Sequence, residues 1–248
     1  MMRSGNPALN KKTFENLTNT RGGVMTLEGA VNKTAIGLSI LLLAGYYTYT
    51  MPIETAYKYM WPGFIGGLIV AVITIFKKEW APITVPIYAA LEGLALGSIS
   101  LMYATAFEPG IVPKAIFLTL GIMFALLFAY KTKIIKATEN FKLGVFAATA
   151  GIGVVYLVSW MMSIFGGSAY GLAVMDPSNS SMLSIGFSLF VVVIASLNLV
   201  MDFDYIEDAV DNGAPKYMEW YGAFGLLVTL IWLYLEILRL LAKLSGRN

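Results

Sequence analysis

Residues 182–203 read MLSIGFSLFVVVIASLNLVMDF, twenty-two residues that hold a single ionisable group, Asp202. An α-helix needs about 20 apolar residues to cross the hydrocarbon core of a bilayer. This stretch is therefore a membrane span, and its one acid stands at its far end. Working outward, six further apolar stretches of similar kind cover 34–49, 61–76, 82–106, 112–130, 141–165 and 217–244. The expected fold class is an all-α integral membrane protein, a seven-transmembrane-helix bundle. No internal repeat suggests transporter-style inverted halves.

Composition agrees. Hydrophobic residues make up 58% of the 248-residue chain and charged residues 13%. An ordinary soluble domain carries about 45–50% and about 25%. The mean hydropathy is +0.72. A soluble fold of this size could not hide that much apolar surface, so lipid is the expected solvent. Soluble enzymes and disordered tails are excluded. The net charge of +2 supplies no basic field for nucleic acid. The chain has no cysteine and no histidine. Disulfides, thiolate chemistry, Ser–His catalysis and His-ligated metals are thereby excluded. No cofactor is expected, and proton chemistry near neutral pH falls to carboxylates.

Three regions are expected: a polar cytosolic arm over 1–33, a seven-helix membrane domain over 34–244 and a short tail over 245–248. A short surface helix is expected near 26–33. Lys and Arg set the orientation, because cytoplasmic loops retain them. Twelve fall on the side of the amino-terminal arm and five on the other, which are Lys58, Lys114, Arg239, Lys243 and Arg247. The amino terminus is expected in the cytoplasm and the protein in a plasma (inner) membrane. Seven crossings then place the basic carboxyl end outside, where it fits poorly, so a re-entrant last segment stays open. Tyr46, Tyr47, Tyr49, Tyr57, Tyr59 and Trp61 cluster like an interfacial aromatic belt. Gly63-x-x-x-Gly67 and Gly93-x-x-x-Gly97 are candidate close helix contacts.

Ionisable groups within spans are costly, so each is a candidate site. Glu92 stands in Tyr88-Ala-Ala-Leu-Glu92-Gly93, far in sequence from any cation, and needs a partner from another helix or must stay neutral. Asp202 and Asp204 end the sixth stretch. Asp202 is either a core site or the last membrane residue. Asp204 reads as an interface marker and, with Glu207, Asp208 and Asp211, as part of a solvated acidic loop. Glu219 stands at the entrance of the seventh stretch and Glu236 well inside it. Glu236 and Arg239 are three apart on one helix face, so they can also neutralise each other.

The run Leu199-Val-Met-Asp202-Phe-Asp204-Tyr-Ile206, followed by Leu233-Tyr-Leu-Glu236-Ile-Leu-Arg239-Leu-Leu241, resembles the transmembrane Bax-inhibitor-motif family. Met2-Arg-Ser-Gly-Asn-Pro7, Ala90-Leu-Glu92-Gly93 and Gly213-Ala-Pro-Lys-Tyr-Met-Glu-Trp220-Tyr221 look like its bacterial branch. The resemblance implies a pH-sensitive calcium leak channel whose two intramembrane acids share a proton. Asp202 matches the sixth-helix acid, and Glu236 stands where the family usually has Asp. Two carboxylates held close cannot both ionise cheaply, and calcium prefers such hard oxygens. Asp202 and Glu236 are thus the candidate pH-sensing and calcium-binding pair, with Glu92 on the same ion pathway. Asp204, Glu219 and Arg239 are secondary candidates.

Geometry sets a condition. If Asp202 lies at the cytoplasmic end and a straight helix starts near Tyr217, Glu236 lies about 28 Å further along. Contact then needs a broken helix or an early part of the seventh segment outside the membrane. Otherwise Glu219 becomes the partner of Asp202. The expected partners are the bilayer, calcium or another cation, and other membrane proteins. The alternative is a non-conducting regulator or scaffold, for example of a membrane protease. An enzymatic role is not expected, since an intramembrane aspartyl protease would need a Gly-x-Gly-Asp run that the seventh segment lacks.

Overall fold

The computed structural model describes residues 23–166 and 170–246. Among them seven long helices follow one another: α1 (Leu27–Tyr49), α2 (Ile53–Phe76), α3 (Ala81–Ala106), α4 (Ile111–Lys131), α5 (Glu139–Gly166), α6 (Met182–Asp211) and α7 (Met218–Ser245). All seven are long and apolar enough to cross a membrane. The protein is an all-α, multi-pass membrane protein.

Several helices start or stop beyond their apolar stretches. The helix expected near 26–33 is the start of α1 itself. Thr26 caps it with an extended backbone, and its hydroxyl accepts the Gly29 N–H at 3.0 Å. α2 begins at Ile53, so Tyr57, Tyr59 and Trp61 lie on its opening turns instead of in a loop. Asp204, Glu207, Asp208 and Asp211 are helical too, because α6 runs to Asp211 before Gly213 turns the chain with φ +67°. The acidic loop expected there is the last two turns of a helix. Apolar composition marks where lipid begins, whereas helices continue until a cap or glycine ends them.

Two compact units are distinguished. One comprises the described residues within Ala106–Met201 and Thr229–Asn248, the other those within Asn6–Thr105 and Asp202–Val228. α6 and α7 therefore each contribute to both.

In the unit holding α1–α3, small residues set the spacing. A Cβ on Gly97 would collide with the Gly45 carbonyl and the Thr48 hydroxyl, and one on Gly63 would stand 2.7 Å from the Leu91 carbonyl. Both glycine motifs thus lie at close helix approaches. Hydroxyls fasten the same contacts: Thr48 donates to the Leu94 carbonyl at 3.0 Å and Ser98 to the Ala56 carbonyl at 2.8 Å. The chain ahead of α1 is strapped to the α6–α7 connection. Met25 N–H donates to the Ala214 carbonyl at 2.7 Å, and Lys216 N–H donates to the Gly23 carbonyl at 3.0 Å. Met25 is buried beneath this short antiparallel pairing.

In the unit holding α4 and α5, the core is Ile152, Val191 and Ile194, with Ala148, Tyr156, Phe187, Leu197 and Trp232 packed against it. Outward faces carry Phe117, Phe124 and Phe128 on α4 and Trp160 and Phe165 on α5, all exposed. Such rows would aggregate in water and are the expected surface against lipid.

Candidate functional site

Among the described residues, four carboxyl groups are buried within the apolar helices: Glu92 on α3, Asp202 on α6, and Glu219 and Glu236 on α7. Each has its own surroundings.

Glu236, 2% exposed, lies one helical turn before Arg239 on α7. One Arg239 nitrogen donates to both carboxylate oxygens, at 2.8 and 2.9 Å. The Tyr156 hydroxyl on α5 donates to Oε1 at 2.5 Å. Arg239 also lies over the Tyr156 ring, 5.8 Å from its centroid. A negative charge among apolar side chains is offset here by a cation, a phenol and an aromatic face. The sequence spacing found the Glu236–Arg239 pair. It did not find Tyr156, although a tyrosine inside Gly153-Val-Val-Tyr156-Leu-Val was a polar tip at mid-span.

Two further polar groups of this unit point inward. Lys243 is fully buried, with its ammonium donating to the Val174 carbonyl at 2.6 Å, the Ser184 carbonyl at 3.2 Å and the Ser188 hydroxyl at 2.8 Å. Asn198, 1% exposed, donates to the Thr149 hydroxyl at 2.9 Å.

In the other unit, Glu219 receives the Thr26 N–H at 3.0 Å and the Thr26 hydroxyl at 2.9 Å. Lys216, three residues earlier, closes an ion pair at 2.7 Å. A carboxylate in the first turn of α7 also suits the positive end of the helix dipole. Glu219 therefore acts as the clasp of the strap, a role that only the fold reveals. Asp202 is fully buried, and Asp204 beside it is half-buried.

Glu92 differs from the other three. It is 8% exposed, and among the described residues it makes no hydrogen bond or ion pair. Its carboxyl group rests on Gly67 of α2, where a Cβ would stand 2.5 Å from Oε1. Tyr88, one turn earlier on α3, is buried edge-on against Phe224 of α7 with ring centroids 5.0 Å apart. Outside the spans, burial pushes the Tyr217 phenol above its ordinary value, and the Glu79 carboxylate adds to the shift. Among the described residues, no group of three or more acids is placed to hold a metal ion.

Residues 6–246 match the family model described as Bax inhibitor 1 like. The chain belongs to that family. The comparison with curated proteins finds no match. In this Bax inhibitor 1 like chain, the two positions expected to pair, Asp202 and Glu236, belong to different compact units. α7 is unbroken from Met218 to Ser245, so the interruption considered for a direct pair does not occur within it. The structure brings Glu236 to Arg239 and Tyr156, brings Glu219 to Thr26 and Lys216, and leaves Glu92 against a glycine.

Proposed function

We propose that the protein is a pH-sensitive calcium (cation) leak gated by carboxylates within its spans, and that it has no enzymatic role. The observation that carries this reading is the burial of Glu92, Asp202 and Glu236 at 8%, 0% and 2% exposure in helices otherwise built for lipid. Intramembrane acids are expensive and mark ion or proton pathways by default. Family membership supports the same reading. Both oxygens of Glu236 are engaged by Arg239, and one also by Tyr156. In this reading calcium is a transported ion and not a resident one. Arg239 is then the lock of the closed form, since a proton on Glu236 weakens the hold on the guanidinium.

We place the protein in a plasma membrane with the amino terminus in the cytoplasm. Two of the five cations on the opposing side are consumed inside the protein, Arg239 by Glu236 and Lys243 by backbone and serine oxygens. Neither weighs on the orientation as a solvated loop charge would.

The test is calcium flux into liposomes carrying the purified protein, scanned over about pH 5 to 8. The wild type runs beside Asp202→Asn and Glu236→Gln. A pH-dependent flux altered by both substitutions supports the leak; no flux at any pH overturns it. A second reading, a non-conducting regulator of other membrane proteins, is favoured by the saturation of Glu236 and Glu219 with local partners. A stable co-purifying protein whose retention follows loop substitutions and not acid substitutions would support that reading.

A further inference from the structure

The Lys243 ammonium is the most completely enclosed cation in its unit, and its three hydrogen-bond acceptors are all neutral oxygens. Two are backbone carbonyls, Val174 and Ser184, and the third is the Ser188 hydroxyl, at 2.6, 3.2 and 2.8 Å. Three acceptors match the three N–H bonds of an ammonium group. Asp176 and Glu236 supply negative charge at longer range, and Arg239 supplies positive charge. Lys243 also stands in the last turn of α7, where the helix dipole favours a cation. Neutral oxygens at 2.6–3.2 Å around a buried point charge are the surroundings that protein sites give to potassium or ammonium ions.

We propose that these oxygens form a monovalent-cation site in which the Lys243 ammonium is a tethered occupant, and that a free potassium or ammonium ion takes its place when the side chain is withdrawn. The inference does not rest on the leak reading. Its mechanical consequence is a latch. Val174 belongs to the short turn Ala173–Met175 in the α5–α6 connection, whereas Ser184 and Ser188 open α6. One cation draws all three elements together. The other end of the connection is already held, because the Leu172 N–H donates to the Ser159 hydroxyl at 3.0 Å and that hydroxyl donates to the Tyr170 carbonyl at 2.7 Å. The Val174 carbonyl also accepts the Ser184 hydroxyl at 3.5 Å, and the Ala173 carbonyl accepts the Asn179 side-chain amide at 2.9 Å. Release of Lys243 therefore loosens the 173–175 turn, which these two weaker ties still hold, while the connection stays attached to α5.

The absence of cysteine from the chain makes the test clean. Met175, 9% exposed beside the site, is replaced by cysteine as a reporter, and its labelling by a maleimide is timed in proteoliposomes. With Lys243 present, the rate is expected to be the same in choline, sodium, potassium and ammonium chloride. With Lys243→Ala in choline, labelling is expected to rise about tenfold, as the turn opens locally. Potassium or ammonium is expected to reverse most of that rise by binding the closed form, whereas choline is too large to do so. An unchanged rate in Lys243→Ala overturns the latch. A faster rate that no small cation slows overturns the site. Should Lys243→Ala fail to insert, Ser188→Ala keeps the ammonium and removes one oxygen. It is expected to speed labelling a few-fold, and an unchanged rate there overturns the proposal as well.

Discussion

Glu236 and Glu92 are both acids buried mid-helix, and the protein treats them in opposite ways. Glu236 has a guanidinium one turn away on both its oxygens and a phenol from α5 on one of them. Glu92 has a glycine of α2 beneath it and no ion pair among the described residues. The first arrangement is a satisfied network, which is costly to cut because each cut orphans a group. The second has nothing to orphan. Its cost lies in holding a polar group in an apolar place, and neutral replacements relieve that cost. The same residue type is thus a member of a polar network at one place and, among the described residues, an acid without an ion pair at the other.

The largest expected effect tests the Glu236 side. Glu236→Gln leaves Arg239 without its counter-charge and is expected to cost about 3 kcal/mol in detergent unfolding. Removing both charges in Glu236→Gln/Arg239→Gln should recover more than half of that loss. A single substitution as mild as the double one would mean that the pair contributes no coupling. Next comes Gly67→Ala. Its methyl group would stand 2.5 Å from the Glu92 carboxyl oxygen, so one helix must shift, at about 1–3 kcal/mol. Combining it with Glu92→Ala should restore much of the stability, since the clash is with that side chain. If the combination is as unstable as Gly67→Ala alone, the strain lies elsewhere between α2 and α3. Smaller still is Tyr156→Phe, which removes one hydroxyl donor from Glu236 and is expected to cost about 1–1.5 kcal/mol in the same assay. The smallest effect belongs to Glu92→Gln. It breaks no ion pair and should change unfolding by less than about 1 kcal/mol. A loss as large as that of Glu236→Gln would erase the distinction between the two acids.

Much of this architecture was legible in the sequence. All seven spans follow from apolar runs, because lipid imposes a composition that water-soluble folds do not share. The Glu236–Arg239 pair was legible for a local reason, since three residues of helix put both on one face. What escaped came from far along the chain. Tyr156 reaches Glu236 from eighty positions away, and Thr26 reaches Glu219 from one hundred and ninety-three. Nothing in the spacing of either acid announces those visitors. Lys243 was read as a basic tail residue at a membrane edge, because sequence records its charge and not the three oxygens that fold over it.

The pairing of Gly23 and Met25 with Ala214 and Lys216 carries a topological consequence. Two chain segments joined outside the helices by backbone hydrogen bonds lie on one face of a bilayer. The six helices between them must therefore bring the chain back to the face it left, so the number of crossings from Leu27 to Asp211 is even, whichever compartment that face meets. A reporter fused ahead of the strap and another inserted at Asn212 must light up together or stay dark together. This single backbone bridge thus fixes the parity of the membrane crossings independently of hydropathy.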